Sequence, residues 1–178
     1  MKREPVPPCA KVASLNPVLA DRMWNTTDGD DGKETVDERM RSKGRALCAE
    51  CPIRLDCISR ALACGWKDKA VYGGLDYRRR WSLARVIATD LRIPVAGLHE
   101  LKASKLKTWL REHPDWTIRM QVSDKTYSAD WHQNRKARRA AAAEGKDAPF
   151  KRTIHMAPMI PHHMIQPPRG KAVQGTLF

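Results

Sequence analysis

The chain has 178 residues and is 42% hydrophobic, yet it contains only 2 Phe and 3 Tyr and its mean hydropathy is -0.59, which excludes one large core. Its formal charge of +13 and pI of about 9.9 point to a polyanionic partner, nucleic acid being the commonest inside a cell, with 16 Lys+Arg against 12 Asp+Glu over residues 1–82 and 17 against 8 over residues 83–178. No apolar run approaches the roughly 20 residues of a bilayer span and the start, MKREPVPPC, has no signal-like apolar core, so a cytosolic protein without membrane contact is expected.

Residues 1–8, charged and Pro-rich, read as a flexible lead-in. KVASLNPVLADRMW has helical spacing at Val12, Leu15, Val18, Leu19 and Met23, interrupted at Asn16-Pro17. NTTDGDDGKE, residues 25–34, reads as loop, and TVDERMRSKGRALCAEC recovers helical character through Val36, Met40 and Leu47, weakened by Gly44.

CAECPIRLDC follows, with Cys48, Cys51 and Cys57 spaced C-x2-C-x5-C. Pro52 suits a first helical position, where its missing N–H costs nothing, and a helix over residues 52–64 is expected to end at Gly65. In a reducing compartment five cysteines favour metal binding or redox chemistry over a disulfide set. A metal or cluster wants four ligands. Cys9, across a 38-residue spacer, is the natural fourth; Cys64 lies about 10 Å further along the helix axis than Cys57, too far to share one compact centre. Buried apolar cysteines are the bland alternative. Zinc and iron–sulfur both accept four thiolates, and spacing leans only slightly to a cluster because a single C-x2-C knuckle is present.

VYGGLDY is a turn built on Gly73-Gly74, leading into a helix, RRRWSLARVIATDLRI, stopped by Pro94, with Trp81, Leu83, Ala84, Ile87, Ala88 and Leu91 as its apolar stripe. One or two short helices carry Leu98, Leu101, Leu106, Trp109 and Leu110; Lys102, Lys105 and Lys107 beside them are either a small binding module or a solvated rim. DWTIRMQVSDKTY has no legible structure. Ser128 is expected to cap a last helix, ADWHQNRKARRAAAAEG. From about Lys146 the chain loses periodicity and gains proline, predicting disorder, and the His- and Met-rich residues 155–168 suggest at most adventitious metal binding.

Arg78, Arg79 and Arg80 after the Gly-Gly turn, and Arg135, Lys136, Arg138 and Arg139 on the last helix, are the candidate DNA contacts, each weighed against a merely solvated charged face. Nothing specifies base readout. A Gly-rich phosphate loop, H-E-x-x-H and a nucleophile–base pair are all missing from the sequence, so no enzyme is expected; a thiol–disulfide oxidoreductase using Cys48 and Cys51 lacks its βαβ pattern.

Cys9, the long spacer, Cys48-Ala-Glu-Cys51-Pro52-Ile53-Arg54-Leu55-Asp56-Cys57, the Ala/Leu helix and Val71-Tyr72-Gly73-Gly74-Leu75 before the three arginines resemble the WhiB-like transcription factors of actinobacteria and their phages, over roughly residues 9–82. Met23-Trp24 sits where the family commonly has an aromatic pair. The resemblance implies an all-α, four-helix domain around a [4Fe–4S] cluster ligated by Cys9, Cys48, Cys51 and Cys57. It also implies docking on the C-terminal domain of the primary sigma factor of RNA polymerase through Tyr72, Gly73 and Gly74, DNA contact from a basic C-terminal segment, and a redox- or nitric-oxide-sensing role for a monomer. The family turn usually reads G-V-W-G-G, where this chain has Ala70-Val71-Tyr72-Gly73-Gly74, and the spacer is long for the family. The expected organisation is a lead-in (1–8), a cluster domain (9–82), a basic helical extension (83–145) and a disordered tail (146–178). The first turn of the helix at Pro52 is expected to supply N–H donors to the sulfurs, and loss of the centre to loosen the domain.

Overall fold

The computed structural model describes residues 5–28 and 34–143. The tail from residue 146, including the His- and Met-rich stretch, and most of the GDDG loop lie outside the described residues. The described chain is all-α apart from one short ladder.

Asn16 divides the first helical stretch into α1 (Pro8–Leu15) and α2 (Pro17–Trp24). It is extended, its amide oxygen accepts the Leu19 N–H at 2.9 Å, and Pro17 opens the next helix where no N–H partner is needed. The segment expected to be loop instead closes as a two-stranded antiparallel ladder, β1 (Thr27–Asp28) with β2 (Glu34–Thr35), Thr27 opposite Thr35. Its central Asp/Gly run hid the Thr pair that flanks it.

Helix α3 (Glu38–Ala49) starts at Asp37, whose carboxylate accepts the Met40 N–H at 3.0 Å and pairs with Arg22 at 2.7 Å. Gly44 is buried within it because α2 crosses there: a Cβ at residue 44 would stand 2.6 Å from the Met23 carbonyl oxygen. The glycine that weakens the sequence signal for this helix is what lets two helices touch.

Helix α4 (Arg54–Ala63) begins two residues later than Pro52 predicts. Pro52 lies in the turn before it, where the Cys51 carbonyl accepts the Arg54 N–H at 3.0 Å. At its other end Gly65, left-handed at φ 62°, donates to Leu62 and Trp66 donates to Ala61, the paired Schellman bonds that stop a helix.

Tyr72 and Leu75 exchange both backbone bonds at 3.0 Å, with Gly73 (φ 57°) and Gly74 (φ 86°) between them, a type I′ turn that requires positive φ twice. Helix α5 (Tyr77–Leu91) follows, capped by Asp76. A 3-10 turn (Val95–Glu100) and α6 (Ala103–Glu112) lead to α7 (Trp116–Ala143). Ser128 is therefore interior to a 28-residue helix and caps nothing; its hydroxyl donates back to the Asp124 carbonyl at 2.8 Å. The stretch DWTIRMQVSDKTY, without legible structure in the sequence, supplies the first half of that helix, packed on α5, where Met120 and Ser123 are buried.

Two apolar clusters result. Ala20, Met23, Trp24, Cys48 and Val71 form the smaller. The larger joins Ile58, Leu62 and Leu75 to Leu83, Val86, Ile87, Leu98, Leu106, Leu110, Trp116 and Met120, so side chains from both sides of residue 82 share one core. Trp81, expected in the buried stripe of α5, is 40% exposed, and Val86 is buried instead because α7 covers that flank. No helix among the described residues is long and apolar enough to cross a membrane.

Candidate metal centre

The five cysteines lie on α1 (Cys9, exposed), at the end of α3 (Cys48, buried), in the turn before α4 (Cys51, half-buried), in the first turns of α4 (Cys57, half-buried) and at its end (Cys64, exposed). Burial pushes the Cys57 thiol up to about 11; the Gly73 N–H opposes this, and charges on Cys48, Cys9 and Cys51 add to it. Cys48 is raised by burial too, opposed by N–H bonds from Trp24 and Gly74, and raised further by Cys9 and Cys51. Cys48 and Cys57 thus each lie within electrostatic reach of Cys9 and Cys51. Cys64 acts on neither; it is exposed and caps the C-terminus of α4.

The donors expected from the first turn of a Pro52 helix come from elsewhere. Trp24 Nε1 donates to Cys48 Sγ at 3.3 Å, the Gly74 N–H also serves Cys48, and the Gly73 N–H serves Cys57. The type I′ turn accounts for this. Positive φ at two successive residues turns consecutive N–H groups toward one side, and that side holds the sulfurs. The turn also sits too close for side chains: a Cβ on Gly73 would run into Ile58 Cγ1, and one on Gly74 would touch Cys48 Cβ at 3.4 Å. Arg54 steadies this turn: it donates Nε to the Gly73 carbonyl at 3.0 Å and lays its guanidinium 5.3 Å from the Trp116 ring.

Among the described residues no three His, Cys, Asp or Glu side chains stand at metal-holding geometry. The donor set nonetheless fits a thiolate centre. Cys48 and Cys57 lie within electrostatic reach of Cys9 and Cys51, N–H donors serve two of the sulfurs, and an arginine holds the supporting turn, the surroundings that four-thiolate iron–sulfur and zinc centres use.

The other predicted site residues divide sharply. Tyr72 is half-buried, its ring 4.7 Å from Trp66 and its hydroxyl donating to Asp68 at 3.1 Å. Gly73 and Gly74 are buried against α4 and Cys48, so of the three residues expected at a sigma contact only Tyr72 reaches the surface. Arg80, assigned to DNA, is 3% exposed and bonds the carbonyls of Ala70, Leu75, Trp66 and Asp68. Its guanidinium is used up inside the fold. Arg78 is exposed but paired with Asp124 at 2.8 Å and bonded to Ser128, whereas Arg79 is exposed. Arg135, Lys136, Arg138 and Arg139 are all exposed on α7. The sequence had no signal for Arg80 as a scaffold, since its partners are main-chain carbonyls from a loop of no fixed pattern.

Residues 21–83 match the family model described as transcription factor WhiB. The match stops short of Cys9 at one end and of α6 and α7 at the other. No curated protein and no solved structure matches the chain.

Proposed function

With residues 21–83 WhiB-like, and that family being one of transcription factors, we propose that this protein is a transcription regulator in which Cys9, Cys48, Cys51 and Cys57 hold a [4Fe–4S] cluster. The observation that supports the reading is that Cys48 and Cys57 both feel the charges of Cys51 and of Cys9, which lies outside the matched segment, and neither feels that of Cys64. A bound cluster supplies a centre that oxygen and nitric oxide attack. The chain's own part is to hold it: Trp24, Gly73 and Gly74 give N–H donors to the sulfurs, and Arg54 locks the turn that carries two of those donors.

In the same reading Tyr72 meets the C-terminal domain of the primary sigma factor. The surface supports an aromatic docking patch: Trp66 (41% exposed) lies against Tyr72 with the rings tilted by 43°, and the Arg80 guanidinium lies 4.8 Å from the Tyr72 ring and 5.9 Å from that of Tyr77. The tyrosine hydroxyl, a departure from the usual Trp, is satisfied by Asp68 within the chain. Promoter DNA is met by the exposed arginines and lysine of α7 and by Arg79.

Anaerobic purification tests the reading. A brown protein with about four irons per chain is expected. Cys64→Ser retains the colour, whereas Cys9→Ser, Cys48→Ser, Cys51→Ser and Cys57→Ser each lose it. A colourless protein with stoichiometric zinc overturns the cluster and leaves a zinc-stabilised nucleic-acid-binding protein. Equal loss in Cys64→Ser overturns the ligand set.

A further inference from the structure

Helix α7 changes character along its length. Its first half is pinned: Trp116, Met120 and Ser123 are buried, Asp124 is held by Arg78 and Ser82, and Arg85 donates to the Ser123 carbonyl and lies 4.3 Å from the Tyr127 ring. From Trp131 to Ala140 every residue is exposed. Over residues 131–143 there are four cations, Arg135, Lys136, Arg138 and Arg139, and no acid. At 100° per residue the face that packs on α5 through Met120, Asp124 and Tyr127 runs on as Trp131, Asn134 and Arg138, with none of the described residues covering it.

Such a segment needs a reason to be helical. An isolated helix of about 12 residues is marginal in water, but here the costly nucleus is already formed by the packed half, and Ala137 and Ala140–Ala143 favour propagation. The protein therefore presents a preformed cationic rod roughly 20 Å long at 1.5 Å per residue. A helix of this kind fits the major groove of B-form DNA, about 12 Å wide. The deep, narrow major groove of A-form RNA does not admit it.

We propose that residues 131–139 of α7 are a recognition helix for the major groove of duplex DNA, Asn134 and Arg138 reading base edges while Lys136 and Arg139 contact phosphates. This rests on the DNA-binding role above and names the residues and the groove that would give it sequence preference. Asn134 and Arg138 are one turn apart on the uncovered face, and their side chains are the types that pair bidentately with adenine and guanine. Ala137 beside them keeps the helix thin at the point of approach. Lys136 and Arg139 lie off that face, where a groove-bound helix meets the flanking strands.

The full chain, purified without air, is used to select from a random duplex pool. Wild type is expected to enrich a motif. Asn134→Ala and Arg138→Ala should each lose about tenfold or more of the preference at one motif position, while Lys136→Ala and Arg139→Ala weaken all sequences alike and lower the salt slope by about 1 each. Because these positions are exposed, circular dichroism should match wild type throughout. An unchanged motif in both Asn134→Ala and Arg138→Ala overturns the recognition helix while DNA binding stands. Retention of single strands in preference to duplex overturns it equally. No retention of any nucleic acid overturns the DNA-binding role itself.

Discussion

The Trp24 indole donates its Nε1–H to the Cys48 sulfur across 3.3 Å, linking α2 to the end of α3 through a side chain whose ring lies in the smaller core. Two separable contributions follow. Trp24→Phe keeps most of the apolar burial and removes the donor, a loss of about 1 kcal/mol; Trp24→Ala also empties the cluster, at about 3–5 kcal/mol. Urea denaturation of the two variants measures the difference. Wild-type stability in Trp24→Phe would show that the N–H contributes nothing, and equal losses in the two variants that the ring's burial adds nothing.

Gly44→Ala sets helix propensity against packing. In an exposed helix the change gains up to about 1 kcal/mol. Here the new Cβ would lie 2.6 Å from a backbone carbonyl of α2, which cannot swing aside as a side chain would. A net destabilisation of about 1–3 kcal/mol is expected, read as a lower thermal midpoint. A higher midpoint would mean that α2 and α3 do not approach so closely.

Arg80 holds the loop between α4 and α5 to the body through four main-chain carbonyls. Arg80→Ala removes a donor from each of these part-buried carbonyls, of which Leu75 keeps the Tyr72 N–H, and opens a cavity where the side chain was buried, a cost of about 2–3 kcal/mol; Arg80→Lys recovers little because one ammonium cannot span the same acceptors. Thermal melts test this, and wild-type stability in Arg80→Ala would refute it. Arg79→Ala, one residue away and exposed, should melt as wild type does.

Asp37 makes the start of α3 pH-dependent. The Met40 N–H, then Arg22, hold its carboxyl below the usual aspartate range. A depressed folded value means the cap is fully present above the ordinary range and is lost as pH falls through the lowered value. The protection of first-turn amides of α3, taken relative to their intrinsic exchange at each pH, should therefore fall on acidification through that range, and Asp37→Asn should remove most of the dependence. A pH-independent protection in the wild type would refute it.

Local chemistry made the right features legible. Asn16-Pro17 marks an elbow, Gly65 a helix end and Gly73-Gly74 a turn because each needs only its own backbone preference. The separation of Cys64 from Cys57 along α4 was legible because spacing along a helix converts directly into distance. What failed was decided by tertiary contacts. Ser128 has the chemistry of a cap, but α5 supplies Arg78 and Ser82 to the same face and the helix runs through it. Arg80 is surrounded by charge in sequence and by carbonyls in space. Lys107, one of three lysines considered for a binding module, pairs with Asp56 of α4 at 2.5 Å, beside the fully buried Leu106.

That last contact sets the dependence of the cysteine cradle on the chain beyond the family match. Cys57 sits on α4, and the face of α4 carrying Ile58 and Leu62 is covered by α6 through Leu106 and Leu110. The Lys107–Asp56 pair is partly solvated, so Lys107→Ala should cost under about 1 kcal/mol. Leu106→Ala removes a fully buried side chain and should cost about 2–5 kcal/mol. If one core serves both segments, Leu106→Ala lowers a single cooperative transition and speeds alkylation of Cys57 as much as it speeds global unfolding. A chain ending at residue 83 should expose Ile58, Leu62 and Leu75 and show no cooperative melt. A sharp melt in that truncation, or Cys57 protection unchanged in Leu106→Ala, would mean that the cradle folds without α6.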